Sequence, residues 1–388
     1  MKRRLIICCD GTWQDLDQKH PTNVVKMTQA ILPNGTDLAD PAIAVDQIIY
    51  YDEGLGTKQL NTPDSISDFL TQLGGGALGL GIDHKIQDAY RFLCLNYLHG
   101  DEIYLVGFSR GAYTVRSLAG LIYNSGLPRR EYLRMIPMAY ELYRDRDHRE
   151  KDPDGAEAKA FRASYGERVP IKALCCWDTV GELGIPDLFR HFQVDGALNH
   201  RYAFHDHKLN PTIEHAFHAV SIDENRKEFY YTPMEVSPEQ NTELCQVWFP
   251  GGHGCVGGGS ESDRGLSDGA LAWMLEKVSA LGLTVDSTRI AYKGSHGIMV
   301  TGLEPNPTIQ VKAAPCLLGA RLREIPVATS FTDEVHISAK QRWHDPGCAY
   351  KPENLRQRFA ADLAAWPGHA SPPVVSPPVA SRSVARVS

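Results

Sequence analysis

Nowhere do the nine cysteines of this 388-residue chain stand in a C-x-x-C arrangement. Zinc knuckles and thioredoxin-like pairs are therefore without support. The chain also lacks an apolar run long enough to span a membrane, which excludes a stable transmembrane anchor. Its basic tip, Met1 to Arg4, is followed by only a short apolar run before Asp10, too short for the core of a signal peptide. A basic excess is missing too. The net charge is -7, which argues against nucleic acid as a partner. No internal repeat is visible. These absences predict a cytoplasmic protein with buried, reduced thiols, exported only if a signal-independent machine carries it.

Cofactor signals are equally thin. Gly74 to Gly79 satisfies G-x-G-x-x-G, but a convincing strand does not precede it, and no lysine follows at the P-loop position. ICCDGT resembles the start of an aspartate-dependent phosphatase, yet Cys8 occupies the attacking position two residues before Asp10. His205 and His207 have no third ligand at telling spacing. The expectation is that neither a metal nor an organic cofactor is needed.

What the chain does contain is a serine between glycines. Gly107-Phe108-Ser109-Arg110-Gly111 follows the apolar run Ile103 to Val106, which reads as a buried strand. After it, Ala112, Val115, Leu118, Ala119 and Ile122 recur at helical spacing, with Asn124 or Gly126 as the stop. Strand, sharp turn with serine, helix is the context of a nucleophile elbow. The glycines matter there because a side chain would push helix and strand apart.

Further strands are predicted at 3–9 and 44–54, in PIKALCCWDTVGELG, in AFHAVSID and in LCQVWFPGGHGCVGGG. A helix carrying Ile82, Ile86, Tyr90, Leu93 and Tyr97 on one face should end at Gly100, and another should carry Leu271, Met274, Leu275 and Val278. Residues 130–165 read as helical. Strands alternating with helices predict a mostly parallel central sheet with helices on both faces. The expected organisation is one α/β-hydrolase-like catalytic domain over residues 1–369, then a disordered Pro/Ser-rich tail at 370–388.

A serine hydroxyl needs an imidazole to take its proton and a carboxylate to orient that imidazole. Asp178, directly after a strand, fits the acid; Asp223 and Asp268 are weaker candidates. His253, in a glycine-rich loop after a later strand, fits the base, with His336 as the alternative. An oxyanion hole would use the N–H of Arg110 and one from Gly11 or Thr12.

LIICCDGTW, YYDEGLGT, GLGIDHKIQDAYRFL, GFSRGAYTVRSLAGLI, WDTVGELG, YAFHD, AFHAVSIDENR and VWFPGGHGCVGGG, in this order, resemble one family. It is the α/β-hydrolase family, once a domain of unknown function, whose members include type VI secretion phospholipase effectors. The resemblance runs from about residue 3 to residue 345. It implies a serine hydrolase acting on carboxylic esters, including acyl esters of phospholipids. It further implies a secretion or immunity protein as partner, and Ser109, Asp178 and His253 as site residues. The chain departs from the pattern at one loop. Where the family reads His-Ser-Asp-Val-Gly-Gly-Gly, this sequence has Gly254 and Cys255 after His253. The alternative reading is thus a catalytically impaired fold that serves as a binding module. Another rival is a phosphatase built on Asp10.

Overall fold

The structure, a computed structural model, describes residues 2–11, 18–54, 77–145, 148–181, 208–294, 297–311, 313–316, 319–327 and 332–367. Thr12, Gly74 to Gly76, His205, His207 and the tail at 370–388 lie outside the described residues.

Eight strands form the central sheet: β1 (Lys2–Cys9), β2 (Asn34–Thr36), β3 (Ala44–Asp52), β4 (Glu102–Phe108), β5 (Ile171–Trp177), β6 (Ile213–Ser221), β7 (Glu243–Phe249) and β8 (Thr332–Val335). Their spatial order is β8-β7-β6-β5-β4-β1-β3-β2. Every pairing is parallel except that of the short edge strand β2 with β3. The chain moves outward from β1 to β3, then returns to place β4 on the other side of β1. The strand order reverses between β1 and β4, the topological switch point of the sheet. This is the mostly parallel, helix-covered sheet of an α/β-hydrolase.

Helices cover both faces, as near-continuous apolar strands require. They are α1 (Asn23–Ala30), α2 (Ala77–Asn96), α3 (Arg110–Ser125), α4 (Ile136–Arg144), α5 (Ala156–Tyr165), the single turn α6 (His253–Gly257), α7 (Arg264–Ala280), α8 (Ile337–His344) and α9 (Glu353–Phe359). Side chains alternate along the strands. Leu5, Ile7 and Cys9 face the cluster built with α2 and α3, whereas Ile6 and Cys8 face the one built with α1 and α7. Cys175 and Cys176 split the same way. Each adjacent cysteine pair therefore points to opposite faces, and all nine cysteines are free thiols.

Most strand and helix expectations match their observed elements. Ile82, Ile86, Tyr90 and Leu93 are buried on α2, and Gly100 adopts φ 93° just beyond it. Gly126, at φ 71°, ends α3. Only parts of 130–165 are α-helical. Asp268 is the fifth residue of α7, and it is wholly buried against Lys26 (2.7 Å).

Sterics set the turn between β4 and α3. A Cβ on Gly107 would lie 2.5 Å from the carbonyl oxygen of Gly111. One on Gly111 would overlap the carbonyl of Cys9 and come within 2.6 Å of that of Asp10. Both obstacles are backbone and cannot rotate away. We expect Gly111→Ala to cost at least about 3 kcal/mol, the upper end for overpacking. Gly100→Ala meets nothing within 4 Å and carries only its backbone strain, about 1 kcal/mol. Urea unfolding midpoints compare the two directly.

Within β6 the His218 imidazole is fully buried. It accepts the N–H of Thr179 at Nε2 (3.2 Å), so Nδ1 is the protonated nitrogen facing Gln246 Oε1 (2.8 Å). Burial, helped by the nearby Arg116 charge, pushes this group down to about 3. Unfolded histidine binds its proton near pH 6.5, so between these values the unfolded state holds the extra proton. Stability is then full above about pH 6.5 and falls as the pH drops, by up to about 1.4 kcal/mol per unit for this group. His218→Gln should flatten the slope of unfolding free energy between pH 4 and 6. An unchanged slope would refute this role.

Candidate active site

Parallel register brings the serine and the aspartate together. Phe108 on β4 pairs with Trp177 on β5, so the next residues, Ser109 and Asp178, leave the sheet side by side. Both adopt left-handed backbone, with φ 57° and 38°. Such conformations cost on the order of 1–3 kcal/mol in a non-glycine residue and persist only where surroundings enforce them. Here the backbone does so: Ser109 N–H donates to Trp177 O (3.0 Å), and Asp178 N–H donates to Ala219 O (2.7 Å). Each turn is tied to the neighbouring strand while its side chain projects over the carboxyl edge.

Two strands further on, β7 ends at Phe249 and the chain turns through Gly251, at φ 95°, into α6. The turn after β6 supplies its anchors. Gly251 N–H donates to Asp223 Oδ2 (2.6 Å), and His253 N–H donates to Glu224 Oε2 (3.1 Å). Arg226 holds Glu224 with Nε and Nη2 at 2.8 and 2.7 Å. The His253 ring lies against Phe108 and Phe229, with ring centres 4.6 and 4.9 Å apart. Its Nε2 is 2.9 Å from Ser109 Oγ, and its Nδ1 is 2.6 Å from Asp178 Oδ2. With the carboxylate ionised, Nδ1 is the donor and Nε2 accepts the serine proton.

Asp178 has no exposed surface and accepts from three further donors. Ser221 N–H reaches Oδ1 (2.9 Å). Arg323 spans both oxygens, with Nη1 2.5 Å from Oδ1 and Nη2 3.0 Å from Oδ2. Burial alone would raise the carboxyl's pKa. The Arg323 charge and the bonds from His253 and Arg323 outweigh it and hold the group well below the usual carboxylate range.

The other expected residues are placed as follows. Arg110 opens α3 directly after the serine. Gly11 follows β1 beside the serine, where a Cβ would stand 3.3 Å from that of Ser109; its N–H donates to Asp10 Oδ1 (2.7 Å). His336 caps α8, bonding Ser338 Oγ (2.8 Å) and stacking on Phe249 at 4.3 Å. Burial, with the Lys340 charge nearby, pushes its imidazole down to about 4. The structure thus brings His253, not His336, to Ser109. Asp223 secures the histidine turn, and Asp268 is engaged by Lys26 and the Glu304 N–H. Asp10 accepts from Thr22 Oγ1 (2.6 Å) and Tyr51 OH (3.0 Å). No cluster of three or more His, Cys, Asp or Glu suited to a metal occurs among the described residues.

Sequence reading missed Arg323, Glu224 and Phe229. Arg323 comes from an extended stretch without periodicity, where an arginine looks like surface charge. No local signal marks it; the buried carboxylate that needs a counter-charge would have been the only clue.

Among known proteins, the family model for the type VI secretion "Phospholipase effector Tle1-like, catalytic domain" matches residues 3–277. An uncharacterized protein of Saccharomyces cerevisiae is 28% identical over 249 residues, covering 61% of this chain and 34% of that protein. Two solved structures, each 17% identical, are similar. One is an uncharacterized protein from Pseudomonas aeruginosa, with a TM-score of 0.37 over 73% of this chain and 46% of that one. The other is the Tle1 effector bound to the VgrG spike of the type 6 secretion system, with a TM-score of 0.33 over 68% and 52%. The chain spans about a third of the yeast protein and about half of each solved chain. Matched over most of its length, it belongs to the Tle1-like phospholipase effector family, through the catalytic domain of that family.

Proposed function

We propose that this chain is a serine hydrolase of carboxylic esters, acting on the acyl esters of lipids. The continuous bond path from Asp178 through His253 to Ser109, at 2.6 and 2.9 Å, carries the reading. Both distances are within reach for proton transfer without rearrangement. Ser109 Oγ attacks the ester carbonyl as its proton passes to His253 Nε2. Asp178 keeps Nδ1 protonated and stabilises the imidazolium. His253 then protonates the departing alcohol. Water, activated by the same nitrogen, releases the acid and restores Ser109.

The oxyanion would be received by the N–H of Arg110 and by one from the loop after β1. Gly11 can serve only by exchanging its bond to Asp10 for the oxyanion; Thr12 is the other candidate. One such donor contributes about 3 kcal/mol to lowering the barrier. Membership in a phospholipase effector family favours lipid esters over other esters. The relative solved with a VgrG spike suggests export with a secretion partner for this chain too. No helix among the described residues is long and apolar enough to cross a membrane.

A fluorophosphonate probe should label the wild type and leave Ser109→Ala unlabelled. Against a panel of fatty-acyl esters and phospholipids, His253→Ala should lose at least about a thousandfold in turnover. His336→Ala should stay within a few-fold of wild type. Absence of labelling would favour the binding-module reading, and ester cleavage surviving in Ser109→Ala would overturn the mechanism.

A further inference from the structure

Arg323 lies beyond residue 277, where the family match ends, yet it touches the proposed acid. Its stretch of chain is strapped against the turn after β6. Lys227 N–H donates to Gly319 O (3.2 Å), and Arg321 N–H donates to Asn225 O (2.8 Å). Asn354, at the start of α9, donates to the carbonyls of both Ile222 and Arg323 (2.9 and 3.2 Å). Arg321 stacks on Tyr230, 3.6 Å from the ring centre, and Arg323 lies 5.4 Å from that of Tyr231. The guanidinium is itself fully buried, and it also donates to Ser221 O (3.0 Å) and Phe229 O (2.5 Å).

From this geometry we propose that Arg323 is a positioning residue for ester hydrolysis, acting through Asp178 in two ways. Its planar fork fixes the carboxylate so that Oδ2 meets His253 Nδ1. Its charge keeps that buried carboxylate ionised. The inference rests on the serine hydrolase reading. An ionised Asp178 keeps Nδ1 of His253 as the donor, so that Nε2 is the nitrogen that accepts the serine proton. The charged and titratable groups facing Asp178 are His253 on α6, Arg323 on the strap and His218 on β6. Glu224 already holds Arg226, so Arg323 is the cation whose removal exposes Asp178.

Two variants of the full chain separate fork from charge. Arg323→Gln removes both. We expect kcat to fall on the order of 10- to 100-fold with KM little changed, as for a misplaced reacting group. The acid limb of the kcat/KM profile should move to higher pH, because the buried carboxylate, without the Arg323 charge, takes a proton more readily. Arg323→Lys keeps the charge but offers a single point donor. Its acid limb should stay near that of wild type while kcat still falls. Labelling by the fluorophosphonate probe, followed across pH, gives the same comparison without a chosen substrate. A merely structural Arg323 would lower the yield or the unfolding midpoint, yet leave the pH limb and kcat of the folded fraction unchanged in both variants; that result overturns the proposal. Should Arg323→Gln fail to fold, Arg323→Lys decides alone: wild-type kcat in it refutes the fork. Unlabelled wild type would instead sink the hydrolase reading, and the inference with it.

Discussion

A carboxylate with no exposed surface is the constraint around which the carboxyl edge of this sheet is built. Removed from water, the charge of Asp178 would cost several kcal/mol were it left unpaired. The fold answers with four donors from three separate segments: Ser221 at the end of β6, His253 after β7, and both terminal nitrogens of Arg323 on the strap. Each donor consumes one direction around the two oxygens. The carboxylate therefore has little freedom left, and the imidazole it holds inherits that order. Preorganisation of this kind costs stability locally and is offset by the packing beneath it.

The neighbouring strain shapes the same edge. Ser109 and Asp178 both sit at positive φ, one register position beyond paired residues on adjacent strands. A relaxed extended backbone would point their side chains out of one face or the other of the sheet. The left-handed turns lift them above the edge instead. At Ser109, close packing maintains the turn, since the helix begins so near β1 that Gly107 and Gly111 touch backbone rather than side chains. At Asp178, the ion pair and the bonded backbone do the equivalent. Two chemically different devices thus hold two side chains to one height.

How much of this could be read from the chain depended on range. The elbow was legible because all its parts are local: an apolar strand, two glycines, a serine and a helical face within a few residues. The parallel sheet was legible because alternating strand and helix patterns admit few other solutions. The histidine turn was found from its glycines and its place after a strand, although a short helix rather than an open loop carries it. Arg323 was illegible. Nothing in its neighbours' periodicity differs from an exposed coil, and its role is defined by a carboxylate 145 residues earlier in the chain. Glu224 was hidden likewise in a charged run, although it grips the backbone of His253.

That grip bears on the altered histidine loop. After the histidine this chain has glycine and a buried cysteine, not the serine and aspartate that the family resemblance implies. Burial raises the Cys255 thiol to about 12, so it stays neutral and packs as a small apolar group. A carboxylate inside the loop is not required to hold it. Asp223 and Glu224, reaching across from the turn after β6, bind the N–H groups of Gly251 and His253 from outside. The turn that presents the imidazole is thereby coupled to the same segment against which the strap bearing Arg323 is pinned. The base and the guanidinium that fixes the acid are consequently set by one shared support, the turn after β6, whereas Ser109 and Asp178 leave β4 and β5 side by side.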